Sequence, residues 1–163
     1  MKLSFVMIPA MLLAVLPASA ADVIYNGHTL QVADGQDNAP IQRMLGAQYN
    51  VQGTAADIVG RAQTCAAGVA GLKVESADPA SGTLVLSANT EYRSGFSSRS
   101  IRSRIDLAAA DAAYVMSESG IEVAQGTGQD VSYVPLVHGE SGWEKALDAL
   151  IGLENKVTDC LYR

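Results

Sequence analysis

Cys65 and Cys160 are the two cysteines of this 163-residue chain, and each falls on the apolar stripe of a segment with helical periodicity. In the first segment Ile58, Ala62, Cys65, Ala66 and Val69 recur at helical spacing. In the second, Ala146, Leu150, Leu153, Val157 and Cys160 do so, with Leu147 and Leu161 beside them. A bond between the two would pin a final helix to the first. The N-terminus says where such a bond can form. Lys2, the apolar run Leu3 to Leu16 and the small-residue end Pro17-Ala18-Ser19-Ala20-Ala21 have the layout of a secretory signal peptide cut before Ala21. In an oxidising compartment two cysteines read as one structural disulfide. A redox pair would sit as Cys-x-x-Cys, and a metal site would gather more ligands close by. Neither pattern is present.

The rest of the chain alternates. Val23-Ile24-Tyr25 and His28 to Val32 flank Asn26-Gly27, which supplies the two positive-φ residues of a hairpin turn. Residues 41–53 are ambiguous; Ile41, Met44 and Leu45 fit one helical turn before Gly53. Thr54 caps the first helix and Asp57 favours its first turn. Leu72 to Glu75 reads as a short strand, followed by an Asp78-Pro79-Ala80-Ser81-Gly82 turn. Leu84, Leu86, Ala88 and Thr90 form one face of the next strand. Ile101, Ser103, Ile105 and Leu107 share a face of a third, opposite Ser100, Arg102, Arg104 and Asp106. Ala112 to Glu118 returns antiparallel, Ile121 to Gln125 extends it, and Val131 to Val137, containing Pro135, reads as an edge strand or connector. Ser141 and Glu144 have capping-box spacing for the final helix. The expected fold is α+β: an antiparallel sheet with two helices packed on one face and one helix-to-helix disulfide. The expected division is a signal peptide over 1–20, an N-terminal hairpin and linker over 21–53, and a domain over 54–163 made of a helix, four antiparallel strands and a C-terminal helix.

Few residues invite chemistry. His138-Gly139-Glu140-Ser141-Gly142-Trp143 approaches a hydrolase elbow, but Trp143 stands where Gly-x-Ser-x-Gly needs its last glycine. Ser141 reads as a helix cap instead, so no catalytic residue is assigned and no enzyme is expected. His28 and His138 are far apart, and Asp34, Asp37 and Asn38 lack the alternation and closing Glu of a calcium loop. No metal and no cofactor is expected. The net charge of −6 becomes more negative once Lys2 is removed, which repels phosphate backbones and excludes nucleic acid as a natural partner. Against that background Arg93, Arg99, Arg102 and Arg104 cluster, four of the eleven Lys and Arg residues. Arginine forks match carboxylates and phosphates, so Arg99, Arg102 and Arg104 are the candidate contacts for an anion or an acidic partner. The plainer reading is a solvated face that pairs with Glu75, Glu91 or Asp106.

The order of elements carries a resemblance. Ala56 to Ala70 as first helix, Glu75-Ser76-Ala77-Asp78-Pro79-Ala80-Ser81-Gly82-Thr83-Leu84 as first hairpin and Ile101 to Met116 as second make the stretch Thr54 to Arg163 similar to bacterial envelope proteins of unknown function with a TATA-box-binding-protein-like fold. That resemblance implies a curved sheet with helices on one face, carries no catalytic residues, and implies no DNA binding. The functional expectation is a periplasmic or secreted, non-catalytic binding or interaction module. Its partner is an unknown envelope protein or a small ligand, with no membrane span left after leader cleavage. The alternatives are a carrier that holds an apolar or amphipathic ligand where Ala62, Ala66, Ala88 and Ala146 leave room, and, more remotely, a hydrolase using His138 and Ser141.

Overall fold

The computed structural model describes residues 21–33, 38–126 and 130–163. Residues 1–20, read above as a leader, the Asp34 and Asp37 positions and residues 127–129 lie outside these residues. The described residues form eight strands and two helices: β1 (Ala21–Tyr25), β2 (His28–Val32), β3 (Ile41–Asn50), α1 (Ala55–Ala67), β4 (Leu72–Asp78), β5 (Thr83–Ser94), β6 (Ser97–Ala110), β7 (Ala113–Gln125), β8 (Ser132–Pro135) and α2 (Trp143–Leu161). All strands belong to one antiparallel sheet, in the order β1-β2-β3-β7-β6-β5-β4. Strand β7 is long enough to take two partners on one edge: β3 pairs along Ala113–Ser119, and β8 along Glu122–Gln125.

Local chemistry accounts for most elements. Asn26 and Gly27 turn the first hairpin with φ of 45° and 79°. Thr54 and Asp57 form a full capping box on α1, each side chain bonding the other's backbone N–H. The alternation of β5 and β6 sends Leu84, Leu86, Ala88, Ile101, Ile105 and Leu107 to one face, all at most 2% exposed. Both helices lie on that face. Ile58, Val59, Ala62 and Ala66 of α1, and Ala146, Leu147, Leu150, Leu153 and Val157 of α2, complete the core. Cys65 and Cys160 are bonded with their Cα atoms 5.8 Å apart, joining the C-terminal parts of the two helices.

Two expectations are corrected. The segment 41–53 is not a helical turn. It supplies β3, a ten-residue strand between β2 and β7. Its pattern is hidden by a register shift between Leu45 and Gln48 that breaks the alternation in mid-strand. Nor does Ser141 cap α2. The N-cap is Gly142, with φ of 89° and no side-chain cap bond. A Cβ there would stand 3.1 Å from Ser94 Oγ, so the chain passes the β5–β6 hairpin at a point that suits only glycine. Ser141 is thereby left one residue outside the helix.

Candidate functional site

Polar side chains gather in two places, on opposite faces of the same strands. The first is the open face. Arg102 and Arg104 project from β6 away from the helices. The Arg102 guanidinium meets Glu122 of β7 through Nε at 2.8 Å and Nη2 at 2.7 Å, and its Cζ lies 3.9 Å from the Tyr133 ring centroid. Arg104 bonds Asp106, two residues on along the same face, at 3.0 Å. Arg43 of β3 joins this face and donates to Ser117 Oγ at 2.9 Å. Leu45, Val85, Ala108 and Val115 lie with Arg43, Arg104 and Asp106 around a shallow cavity of about 420 Å³. Arg99 stands apart, at a second cavity of about 660 Å³ beside Ser97, Ser98 and Ser100. Of the anticipated partners, only Asp106 takes an arginine. Glu75 holds Lys73 and Ser87, and Glu91 accepts from Ser98. Glu122 is the partner that the strand pattern did not suggest, because the register that places it beside Arg102 follows a bulge at β6–β7.

The second gathering is inside. His28 of β2, Glu118 of β7, Glu154 of α2 and Ser103 of β6 form a chain across the helix–sheet interface. They are 4%, 0%, 2% and 6% exposed, which excludes bulk water from every link. His28 Nε2 is 2.8 Å from Glu154 Oε2, and its Nδ1 is 3.1 Å from the Asn26 carbonyl oxygen. Glu118 Oε2 bonds the Ser103 hydroxyl. The Glu118 and Glu154 carboxyls each bury one oxygen, Oε1, that has no hydrogen-bond partner. Burial, reinforced by the charge of Glu154, pushes the Glu118 carboxyl well above the usual carboxylate range. The hydrogen bond to Glu154 raises the His28 imidazole above its ordinary value, against the opposing effect of burial. Gly46 of β3 lies beside the ring: a Cβ there would be 3.7 Å from His28 and 3.0 Å from the Met116 carbonyl oxygen. Nearby, Tyr114 Oη bonds Thr158 Oγ1 at 3.0 Å and its ring stacks on Tyr49. Sequence reading missed this chain. The signal was present in phase: His28 lines up with Leu30 and Val32, Glu118 with Tyr114 and Met116, and Glu154 with the apolar stripe of α2.

His138 and Ser141 are not joined by a hydrogen bond among the described residues. The His138 ring packs on Trp143 at 4.7 Å, and its backbone pairs with Asn38 and Ala39. Ala62, Ala66, Ala88 and Ala146 are core residues, at most 2% exposed. Among the described residues no group of three His, Cys, Asp or Glu side chains is placed to hold a metal ion.

A sheet with both helices on one face has a solved counterpart. A TBP-like protein from Parabacteroides distasonis superposes with a TM-score of 0.56 at 14% identity, over 85% of this chain and 96% of that one. The fold is TBP-like. The likeness reaches beyond residues 54–163, so the N-terminal strands share in it. A DUF4468 family protein from Bacteroides ovatus aligns more loosely, with a TM-score of 0.45 at 11% identity over 90% of this chain and 84% of that one. No protein-family model and no curated protein matches the chain.

Proposed function

We propose that this TBP-like chain is an exported, non-catalytic binding module of the cell envelope that engages an acidic partner through the open face of its sheet. One observation carries the reading. Among the described residues both helices stand on the same face and leave the other face of β3, β7, β6 and β5 uncovered, and Arg43, Arg102 and Arg104 project from it beside Leu45, Val85, Ala108 and Val115. The arginines are already paired, yet half-exposed ion pairs contribute only about 0–1 kcal/mol, so a partner carboxylate can exchange for Glu122 or Asp106 at little cost. The leader-like N-terminus and the Cys65–Cys160 bond support export. No helix among the described residues is long and apolar enough to cross a membrane.

Site-specific photocrosslinking in the native compartment tests this. A crosslinker at Val85 or Ser87, on the open face, should yield an adduct. One at Gln63 or Lys156, on the exposed sides of the helices, should not. Replacing Arg102 and Arg104 together should then weaken the adduct with only a small drop in Tm. Adducts confined to the helix positions would reverse the assignment of the binding face.

A further inference from the structure

Glu118 Oε1 and Glu154 Oε1 are buried oxygens without a donor, and the influence of Glu154 helps to hold the Glu118 carboxyl protonated. Two carboxylates cannot satisfy each other, because both only accept. One proton between them makes a donor and an acceptor. The other end of the chain obeys the same logic. The Asn26 carbonyl only accepts, so His28 Nδ1, 3.1 Å away, carries a hydrogen. On the far side of the ring, Nε2 and Glu154 Oε2 at 2.8 Å also need one hydrogen between them. An imidazolium facing a carboxylate and an imidazole facing a carboxylic acid hold the same number of protons. With both shared protons in place, His28, Glu154 and Glu118 are together electrically neutral. Loss of either leaves a net negative charge in a core that excludes water, which is strongly unfavourable.

We propose that His28, Glu154 and Glu118 form a buried two-proton binding site, and that its occupancy governs how tightly the β1–β2 hairpin is held against α2. The hairpin lies at the edge of the sheet, where β2 pairs with β3 in a register that shifts between Gln31 and Val32. Its other hydrogen bonds to α2 are exposed, Tyr25 Oη to Asp148 at 2.8 Å and to the Glu144 carbonyl at 3.2 Å and Asn26 Nδ2 to Asp148 at 2.8 Å, and the Tyr25 ring packs on Trp143 with centroids 5.1 Å apart. His28 to Glu154 is the buried tie, and the proton between them is part of it.

Among the described residues the surroundings leave no other group to compensate. Tyr49 of β3 and Tyr114 of β7 are held neutral, Tyr114 pushed up to about 12, chiefly by burial. Tyr25, near Asp148 and Glu144 at the hairpin tip, is likewise raised to about 12. Ser103 of β6 and Thr158 of α2 are neutral hydroxyls. The side chains that α1 and β5 bury here, such as Ile58, Val59, Ala62, Leu84, Leu86 and Ala88, are uncharged. Both shifts have the same sign. Folded His28 and Glu118 lie above their ordinary values of 6.5 and 4.5. Their contribution is therefore complete below those values and is lost as pH rises through the folded ones.

Hydrogen exchange on the purified protein tests the proposal, with β5 and β6 as internal reference. After correction for intrinsic rates, protection at residues 22–32 should fall between about pH 6 and about pH 9, by up to about tenfold per pH unit for each proton lost. The reference strands should hold. Glu118→Gln keeps a donor toward Glu154 and has no proton to lose, so its slope should be shallower by one proton. Equal slopes in the two proteins, or a loss spread evenly over the reference strands, would overturn the proposal. If Glu118→Gln does not fold, infrared spectroscopy of the unsubstituted protein decides. A carboxylic C=O band that persists at neutral pH and shifts on isotopic labelling of glutamate is expected. Its absence removes the proton between the two carboxyls.

Discussion

Strands β6 and β7 carry charged and polar side chains on both faces, and the two faces use them in opposite ways. Outward, Arg102 meets Glu122 with side chains 49% and 32% exposed. Inward, Ser103 meets Glu118 where both groups are buried. The outer pair is screened by water and salt, so its making or breaking moves stability little. The inner chain sits in low dielectric, where each missing partner or proton leaves a charge exposed to an apolar core. One residue along a strand thus separates an exchangeable surface from a site that must be neutral.

The sharpest way to break this contrast is Glu154→Ala. It orphans His28 and Glu118 together and should cost about 3–5 kcal/mol in urea unfolding; a cost near that of a surface substitution would mean the interior is wetter than the exposures indicate. Next in size is the pH dependence of the unsubstituted protein. Because the folded His28 and Glu118 groups titrate above their unfolded values, the urea midpoint should decline from mildly acidic toward alkaline pH. A midpoint that rises over that range would contradict the sign of both shifts. Tyr114→Phe probes a buried but uncharged pair, Tyr114 with Thr158, and should cost about 1 kcal/mol with no change in pH profile. Arg102→Ala on the open face should cost least, about 0.5 kcal/mol, and less still in high salt. If Arg102→Ala proved as damaging as Tyr114→Phe, the outer face would be structural and its role in binding would need another argument.

How much of this was legible in advance follows the range of the interactions. The α1 cap, the Asn26-Gly27 hairpin and the alternation of β5 and β6 depend on neighbours within a few residues, and they stand as the local pattern implies. The cysteine stripes were equally local, and together with the leader-like pattern of the N-terminus they pointed to the Cys65–Cys160 bond. Strand β3 was obscured because its irregular register interrupts the period of two, and its place in the centre of the sheet depends on β7, nearly seventy residues away. The cap of α2 failed for a different reason. Ser141 has the right spacing, but contact with Ser94 selects the backbone of Gly142.

The sequence by itself determined the periodicities, turns and apolar stripes, because those are set by the conformational and solvation preferences of short segments. The burial of His28, Ser103, Glu118 and Glu154 in one chain was decided only by the tertiary structure. The four residues come from three strands and a helix, and a lone Glu in an apolar stripe has no stated partner until packing supplies one. Long-range closure also decided which face of the sheet stayed bare. Helices α1 and α2, bonded to each other, cover one face together, and the arginines are left on the other.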